Sequence, residues 1–268
     1  MNTGYFDSGI YDTPEKSSLS LKERFRLNNR LYFTLKYVAL VFWTRKETLK
    51  KRFFTKEWAD SSFYILKLIE KAGGKFHIRG IDNIGKSKDP VVFISNHMST
   101  LETMIFPGLI APIRNVTFVV KESLTKHPVF GPLMRSREPI VVGRTDPRKD
   151  FETVMTSGVD MLSKGISVVI FPQSTRSTVF IQDEFNSLGV KLAKKAGVAV
   201  VPVAIRTDFW GNGNIIKDLG PIDRNKPVNI VFGEPMKIVG NGKDEQQKVV
   251  DFIKSHLVDW GCKIQSGL

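Results

Sequence analysis

A histidine and a carboxylate lie close together in the segment ISNHMSTLETMIF, residues 94–106. His97 and Glu102 are five positions apart, so on one regular helix their side chains would diverge by about 140°. They can meet if His97 lies on a loop and a helix begins near Ser99, which places Glu102 in its first turn. A carboxylate bonded to one imidazole nitrogen leaves the other able to take a proton from a hydroxyl. The spacing therefore permits general-base chemistry at His97.

The same segment also fits a purely structural interpretation. Ser99 and Glu102 are spaced as in a capping box, S-x-x-E, in which the glutamate closes the start of a helix. Ser99 lies two residues from the histidine and serves more simply as the cap than as a nucleophile. These residues alone leave a catalytic pair and a helix cap as alternatives.

A second polar stretch, FPQSTRS at residues 171–177, follows the apolar run SVVIF. Loops at the carboxyl ends of strands are where α/β folds bind ligands. Arg176 offers a planar fork suited to phosphate, and Ser174 and Thr175 offer hydroxyl donors. A lone arginine on a loop fits a surface salt bridge equally well, so this stretch alone does not identify a ligand.

The overall charge points to anionic partners. The chain has 40 Lys and Arg against 27 Asp and Glu, a net charge of +13, which suits nucleic acid, an anionic membrane face or a phosphate-bearing substrate. Two of these cations, Lys121 and Arg144, each follow an apolar run. They could converge on one anion, although each is also compatible with an ordinary surface position.

The elements that must position these residues follow from the alternation of apolar runs with helical stretches. From Gly74 onward we predict strands near FHIRG, VVFIS, VTFVV, PIVVG, SVVIF, VAVVPVAI and VNIVFG. This alternation predicts an α/β fold with a mostly parallel central sheet flanked by helices. The chain is 41% hydrophobic without a break in composition, so we expect one α/β domain over residues 73–268.

The preceding segment, residues 21–72, differs in kind. Its pattern predicts two helices broken near residues 44–56, and cations recur beside aromatic residues. This pattern is typical of an amphipathic helix pair docked on a membrane surface, although helices packed on the core with solvated basic faces fit it as well. Residues 1–20 are polar, lack the features of a secretory signal and are predicted to be a flexible tail.

Several function classes lack their motifs. The single cysteine, Cys262, excludes an intrachain disulfide and a zinc site built on paired cysteines. The motifs G-x-S-x-G and H-E-x-x-H are absent. The stretch GIDNIGKS, residues 80–87, matches a phosphate-loop pattern but leads into a strand instead of a helix. The longest apolar stretch, residues 31–43, is shorter than the roughly 20 residues that cross a bilayer.

Taken in order, these segments resemble the sequence blocks of the glycerolipid acyltransferase family, the 1-acylglycerol-3-phosphate acyltransferases and their relatives. Asn96-His97-x-Ser99 with Glu102 is similar to the first block, N-H-x-S-x-x-D. Residues 121–144, which end in VVGR, are similar to the second. FPQSTRS is similar to the third, F-P-E-G-T-R-S, and VPVAI at residues 201–205 to the fourth. The resemblance covers roughly residues 75–240.

This resemblance implies acyl transfer from acyl carrier protein or coenzyme A to the free hydroxyl of 1-acylglycerol 3-phosphate. It implies that His97 is the general base and that Glu102 orients it. It also implies a set of substrate-binding residues, namely Asn96, Ser99, Lys121, Arg144, Gln173, Ser174, Thr175 and Arg176. Backbone amides near the helix start are expected to stabilise the oxyanion. No metal or bound cofactor is expected.

The chain departs from the family pattern at two places. Glu102 stands where Asp is usual and keeps the charge, whereas Gln173-Ser174 replaces Glu-Gly and removes a carboxylate. The second change motivates other acceptors: a lyso-aminolipid, another lysophospholipid or glycerol 3-phosphate. A different class, a non-enzymatic basic protein that binds nucleic acid or lipid, is the further alternative. The placement of the cations favours a membrane partner, with no nucleic acid and a peripheral position on the cytoplasmic face.

Overall fold

Runs of Val, Ile and Phe build the central sheet, because β-branched and aromatic side chains pack well on a pleated surface. The computed structural model describes residues 5–6, 8–15, 30–173, 175–213 and 220–265. The strands in these residues are β1 Ile10–Asp12, β2 Phe76–Arg79, β3 Val91–Ser95, β4 Val116–Lys121, β5 Ile140–Val142, β6 Ser167–Ile170, β7 Val179–Ile181, β8 Ala199–Arg206, β9 Val228–Phe232 and β10 Lys263–Gln265. Every strand predicted from the sequence is present.

Eight strands pair in the order β1-β2-β9-β8-β3-β6-β4-β5, and β7 pairs separately with β10. Within the large sheet, β1 is antiparallel to β2 and β8 to β9, and the other pairings are parallel. The strands from β8 to β5 are consecutive neighbours that all run in one direction, so their carboxyl ends meet at one edge. The predicted mostly parallel sheet is confirmed.

Helices cover both faces of this sheet. The α-helices in the described residues are α1 Arg30–Leu49, α2 Thr55–Lys71, α3 Asn83–Lys86, α4 Leu101–Ile110, α5 Glu122–Lys126, α6 Gly131–Ser136, α7 Pro147–Ser163, α8 Leu188–Ala196 and α9 Lys243–Asp259, and Gln182–Glu184 form a short 3₁₀ helix. Along β3, Phe93 packs into the core shared with α1, α2 and α4. Val92 and Ile94 pack into the core shared with α7, α8 and α9. Burial on both faces explains why β3 is apolar at successive positions.

The N-terminal segment is integrated into the α/β domain. The predicted break between two helices is confirmed, since residues 50–54 separate α1 from α2. Phe33 and Tyr37 of α1 each pack edge-to-face on Trp210, with ring centroids 5.0 Å apart. Residues on both sides of position 72 share one hydrophobic core, and the predicted domain boundaries stay a prediction. Among the residues that the structure describes, no helix combines the length and the apolar character needed to cross a membrane.

Part of the predicted flexible tail is held against the domain. Residues 10–12 form β1 and extend the sheet beside β2. The hydroxyls of Tyr11 and Thr13 both donate to Oε1 of Glu70 on α2, at 2.6 and 2.7 Å. These contacts join residues more than fifty positions apart, which local composition did not indicate. The rest of the predicted tail, residues 1–4, 7 and 16–20, lies outside the described residues, as does the start of the predicted helical segment, residues 21–29.

Candidate active site

His97 and Glu102 meet at the junction of a strand and a helix. β3 ends at Ser95, residues 96–100 form a loop, and Glu102 lies in the first turn of α4. The Nδ1 atom of His97 is 2.7 Å from Oε1 of Glu102. The imidazole also stacks on the ring of Phe171, with centroids 4.3 Å apart and planes inclined by 22°. The geometry that the spacing predicted, a loop histidine and a first-turn carboxylate in contact, is confirmed.

The Glu102 carboxylate is fully buried and accepts hydrogen bonds on both oxygens. Besides its contact with His97, Oε1 accepts from the backbone N–H groups of Met98 and Ser99 at 2.7 and 2.9 Å. Oε2 accepts from the hydroxyl of Thr207 at 2.6 Å and lies 3.0 Å from the hydroxyl of Ser99. The N–H of Leu101 donates to the Ser99 hydroxyl at 3.1 Å. The N-cap residue of α4 is Thr100, not the predicted Ser99, and its side chain makes no capping hydrogen bond. The contacts of Ser99 and Glu102 at the helix start and the contact with His97 are nevertheless parts of one arrangement.

This environment sets the charge of the pair. Burial alone raises the pKa of the Glu102 carboxyl, but hydrogen bonds from His97, Thr207 and the Ser99 amide outweigh it and hold the pKa below its ordinary value. Glu102 is therefore ionised near neutral pH and can only accept, so Nδ1 of His97 carries the proton. The basic lone pair of the neutral ring is on Nε2. The His97 side chain is 12% exposed, which leaves its edge open to a ligand.

The backbone of His97 is held from the loop that follows β6. Its N–H donates to Oε1 of Gln173 at 3.0 Å, and the N–H of Ser177 donates to its carbonyl at 2.9 Å. The Gln173 side chain is buried, with 3% of its surface exposed. In the free protein Gln173 thus contacts the loop that carries His97. Substrate contact by Gln173 stays a prediction.

Asn96 and Ser99 are also engaged within the protein. The Asn96 side chain accepts from the N–H of Ile205 and donates to its carbonyl, each at 2.9 Å, which continues the pairing of β3 with β8 beyond Ser95. Ser99 is buried and lies against Glu102 and Thr207. Both residues position the loop that carries His97. Their predicted substrate contact is not tested by this arrangement.

The predicted anion-binding residues lie along the same edge of the sheet. Lys121 ends β4, Arg144 follows β5 and Arg176 follows β6. Burial lowers the pKa of the Arg144 guanidinium, Asp150 opposes that shift, and the positive charge of Arg176 adds to it. The two arginines are therefore close enough to repel each other, and an anion between them would relieve that repulsion.

Arg144 is carried by a tightly held turn. Its φ of 60° places it in the left-handed region, which is unusual for a residue with a side chain. The N–H groups of Gly143 and Arg144 donate to the two carboxylate oxygens of Asp150 on α7, at 2.9 and 2.8 Å. These two hydrogen bonds stabilise the turn and thereby fix the backbone position from which the Arg144 side chain extends.

The other predicted ligands at this edge lie at the surface. Lys121 and Thr175 are exposed. Ser174 lies outside the described residues. Within those residues, no group of three or more His, Cys, Asp and Glu side chains could hold a metal ion.

The expectation that backbone amides near the helix start stabilise the oxyanion stays a prediction. Four amides of this junction already donate to side-chain oxygens at 2.7 to 3.1 Å, namely those of His97, Met98, Ser99 and Leu101. A donor that is bonded inside the protein is not aimed at a substrate, so these four are less suited to that role. Three of these contacts are local and involve Ser99 or Glu102, whereas the acceptor for His97, Gln173, is brought to the loop by the fold.

Thr207 is a site residue that sequence reasoning missed. It immediately follows β8, is fully buried and donates to Glu102. The sequence did contain a signal for it: Thr207 is a polar residue just after the apolar run VPVAI, which was already matched to a family block. What was missing was the strand order, which places the end of β8 beside the end of β3.

Known proteins resemble this chain in sequence and in fold. Residues 75–206 match the family model described as Acyltransferase. The 1-acyl-sn-glycerol-3-phosphate acyltransferase of Pseudomonas aeruginosa is 30% identical over 192 residues, which cover 71% of this chain and 70% of that protein. The chain belongs to the glycerolipid acyltransferase family. Its membership removes the basis for the non-enzymatic alternative.

Two further members extend the similarity. The chloroplastic 1-acyl-sn-glycerol-3-phosphate acyltransferase of Arabidopsis thaliana is 31% identical over 166 residues, or 61% of this chain and 42% of that protein. The crystal structure of the 1-acyl-sn-glycerophosphate acyltransferase PlsC from Thermotoga maritima superposes with a TM-score of 0.63 at 21% identity, covering 90% of this chain and 98% of that one. This glycerolipid acyltransferase therefore shares its α/β fold with PlsC.

Proposed function

We propose that this protein transfers a fatty acyl group to the free hydroxyl of 1-acylglycerol 3-phosphate and so forms phosphatidic acid. The observation that carries the proposal is the 2.7 Å contact between His97 and Glu102, at the sheet edge where Arg144 and Arg176 also lie. The names of the relatives, 1-acyl-sn-glycerol-3-phosphate acyltransferases, support the choice of acceptor. The acyl donor in this proposal is a thioester of acyl carrier protein or coenzyme A.

In the proposed reaction, Nε2 of His97 takes the proton from the acceptor hydroxyl. The hydroxyl oxygen attacks the thioester carbonyl and forms a tetrahedral intermediate. When the intermediate collapses, the C–S bond breaks, and protonated His97 returns the proton to the departing thiolate. Ionised Glu102 stabilises the imidazolium that exists between these two steps. A base in this position contributes roughly 10² to 10⁴-fold to the rate.

Arg144 and Arg176 hold the acceptor phosphate in this proposal. Their planar guanidinium groups match phosphate oxygens through paired hydrogen bonds, and their mutual repulsion is relieved by the bound anion. Lys121 adds a further positive charge at this edge, and the exposed Thr175 offers a hydroxyl donor. A phosphate held there places the acceptor hydroxyl toward the histidine.

The exposed face of α1 provides a membrane contact. We define this apolar face by Leu35, Phe42, Trp43 and Leu49, which are 45% to 60% exposed. The opposite side of the helix is buried through Phe33 and Tyr37, so the apolar face points away from the core. Four exposed cations lie at its end, namely Lys46, Lys50, Lys51 and Arg52. We propose that this face rests on anionic lipid, as a peripheral contact at the cytoplasmic leaflet.

Acyl transfer is tested with purified protein, 1-acylglycerol 3-phosphate in anionic vesicles, and acyl carrier protein or coenzyme A thioesters. We expect phosphatidic acid to form, and we expect His97→Ala to lower kcat by roughly 10² to 10⁴-fold. His77→Ala, which changes an exposed histidine of β2, is the matched control. Unchanged activity of His97→Ala would show that the chemistry is misplaced.

A panel of other lysolipids and glycerol 3-phosphate tests the acceptor. The alternative acceptors were motivated by Gln173-Ser174 in place of Glu-Gly. Ser174 lies outside the described residues, and the buried Gln173 side chain bonds to the His97 backbone. An amide and a carboxylate oxygen can both accept that bond, so the change from Glu does not by itself require another acceptor. Turnover of a different lysolipid without turnover of 1-acylglycerol 3-phosphate would replace the proposed acceptor.

A further inference from the structure

Gln173 connects two loops that leave neighbouring strands. β3 and β6 are parallel neighbours, with Ile94 opposite Ile170, so the loops that follow them run side by side. Gln173 reaches from the second loop to the first and accepts the N–H of His97 at 3.0 Å. The same loop supplies the Ser177 N–H, which donates to the carbonyl of His97 at 2.9 Å. Both backbone polar groups of His97 are thus bonded to this loop.

The position of this contact matters because a small displacement of His97 would misalign its ring. Nδ1 is held by Glu102 and the ring face by Phe171. The third constraint acts on the backbone of His97, where the Gln173 side chain accepts the hydrogen bond from the N–H group. The bond is buried, because the Gln173 side chain is only 3% exposed. If this side chain were replaced by one that cannot accept, water would not readily take its place as the acceptor for the His97 N–H.

We propose that Gln173 sets both the position of His97 and the pH range of the reaction, because it supplies the hydrogen-bond acceptor without adding a negative charge. This inference rests on the proposed function, in which His97 is the base. A carboxylate at the same position would accept the same N–H bond. It would also place a second anion within hydrogen-bond distance of the His97 backbone and favour the protonated ring, which cannot act as a base.

The charged groups around His97 come from several elements. Glu102 of α4 is bonded to it. Arg176 follows β6, Arg144 follows β5 and Lys121 ends β4, all cationic and all on the same edge. After β8, Asp208 is paired with Arg206 and Lys226, at 3.3 and 2.9 Å, so its charge is largely compensated. Glu102 is accordingly the carboxylate that acts directly on the histidine, and residue 173 determines whether a second one joins it.

Two substitutions at position 173 distinguish the effect of the hydrogen-bond acceptor from the effect of a negative charge. Gln173→Met removes the acceptor but keeps the length of the side chain, and we expect kcat to fall about 10- to 100-fold with little change in KM. Gln173→Glu keeps the acceptor and adds the charge. We expect its kcat to return near the wild-type value at high pH, and the midpoint of the acid limb of the pH profile to rise by about one pH unit.

Gln247→Glu is the matched control, because it makes the same change on the exposed surface of α9 and is expected to leave the acid limb in place. Wild-type kcat in Gln173→Met, or an unshifted acid limb in Gln173→Glu, would overturn the inference. If Gln173→Met does not fold, as judged by circular dichroism, the pH profile of Gln173→Glu still decides. His97→Ala is assayed alongside these variants. If His97→Ala is active, His97 is not the base and the proposed function is refuted. If His97→Ala is inactive but the Gln173 variants behave like the wild type, only the inference about Gln173 is refuted.

Discussion

The hydroxyl of Thr207 donates a 2.6 Å hydrogen bond to Oε2 of Glu102, and both side chains are fully buried. Thr207 comes from the end of β8 and Glu102 from the first turn of α4. The other carboxylate oxygen is held by His97 and two backbone amides. Glu102 is therefore fixed at both oxygens, which makes it a stationary acceptor for the histidine.

Thr207→Val should weaken this arrangement without changing the shape of the side chain. It removes the shorter of the two hydroxyl contacts to Oε2 of Glu102, the other being with Ser99. A hydrogen bond to a charged group contributes about 1.5 to 3 kcal/mol to stability. We expect kcat to fall about 10-fold with little change in KM, because the orientation of His97 is affected and not the binding of the acceptor. Steady-state kinetics and urea unfolding measure the two effects.

Thr207→Ser restores the hydroxyl and should recover most of the lost kcat. If Thr207 had a purely structural role, the fall in kcat of each variant would depend only on how much that variant is destabilised. The Ser and Val variants would then have the same kcat wherever their free energies of unfolding are the same. That outcome would contradict the positioning role of Thr207.

The lowered pKa of Glu102 links stability to pH. Because its pKa is lower in the folded protein than in the unfolded chain, the ionised carboxylate contributes stability above its ordinary pKa of 4.5. That contribution is lost as the pH falls through the lower folded-state pKa. We expect the difference in unfolding free energy between the wild type and Glu102→Gln to be largest near neutral pH and to shrink below about pH 4. Urea unfolding at several pH values measures it, and a difference independent of pH would be the contrary result.

Removal of either arginine should weaken the binding of the acyl acceptor more than it lowers kcat. Arg144→Ala and Arg176→Ala each remove charge-assisted hydrogen bonds to the phosphate, and we expect KM for 1-acylglycerol 3-phosphate to rise about 10- to 100-fold. Arg148→Ala is the matched control, because Arg148 is exposed on α7 and pairs with Glu152. Kinetics at two salt concentrations test the charge. A fall in kcat at unchanged KM would place these arginines elsewhere in the mechanism.

The apolar face of α1 should control binding to lipid. Leu35→Glu combined with Phe42→Glu replaces two exposed apolar side chains with anions, and we expect partitioning onto anionic vesicles to fall by about 100-fold or more. Val239→Glu changes a side chain that is 73% exposed and lies on the loop before α9, so it serves as the control. Vesicle flotation gives the measurement. Equal flotation of the double variant and the control would rule out docking through this face.

Local features of the chain were sufficient to predict the architecture and the contact between His97 and Glu102. Strands such as β3 are buried on both faces, so their apolar runs are continuous and visible in the sequence. His97 and Glu102 meet within one strand-to-helix junction, and their separation of five positions restricts how they can do so. The strands β1, β7 and β10, each three residues long, were missed.

Contacts between distant parts of the chain were decided by the tertiary structure. Gln173 and Thr207 lie 76 and 105 positions from the residues that they hold, and the sequence gives no distance between them. The strand order places the ends of β6 and β8 on either side of β3, and so brings both side chains to one loop. The residue types and their order along the chain determined which chemistry was possible. The pairing of strands determined which donor meets which acceptor, because hydrogen bonds depend on distance in space and not on distance along the chain.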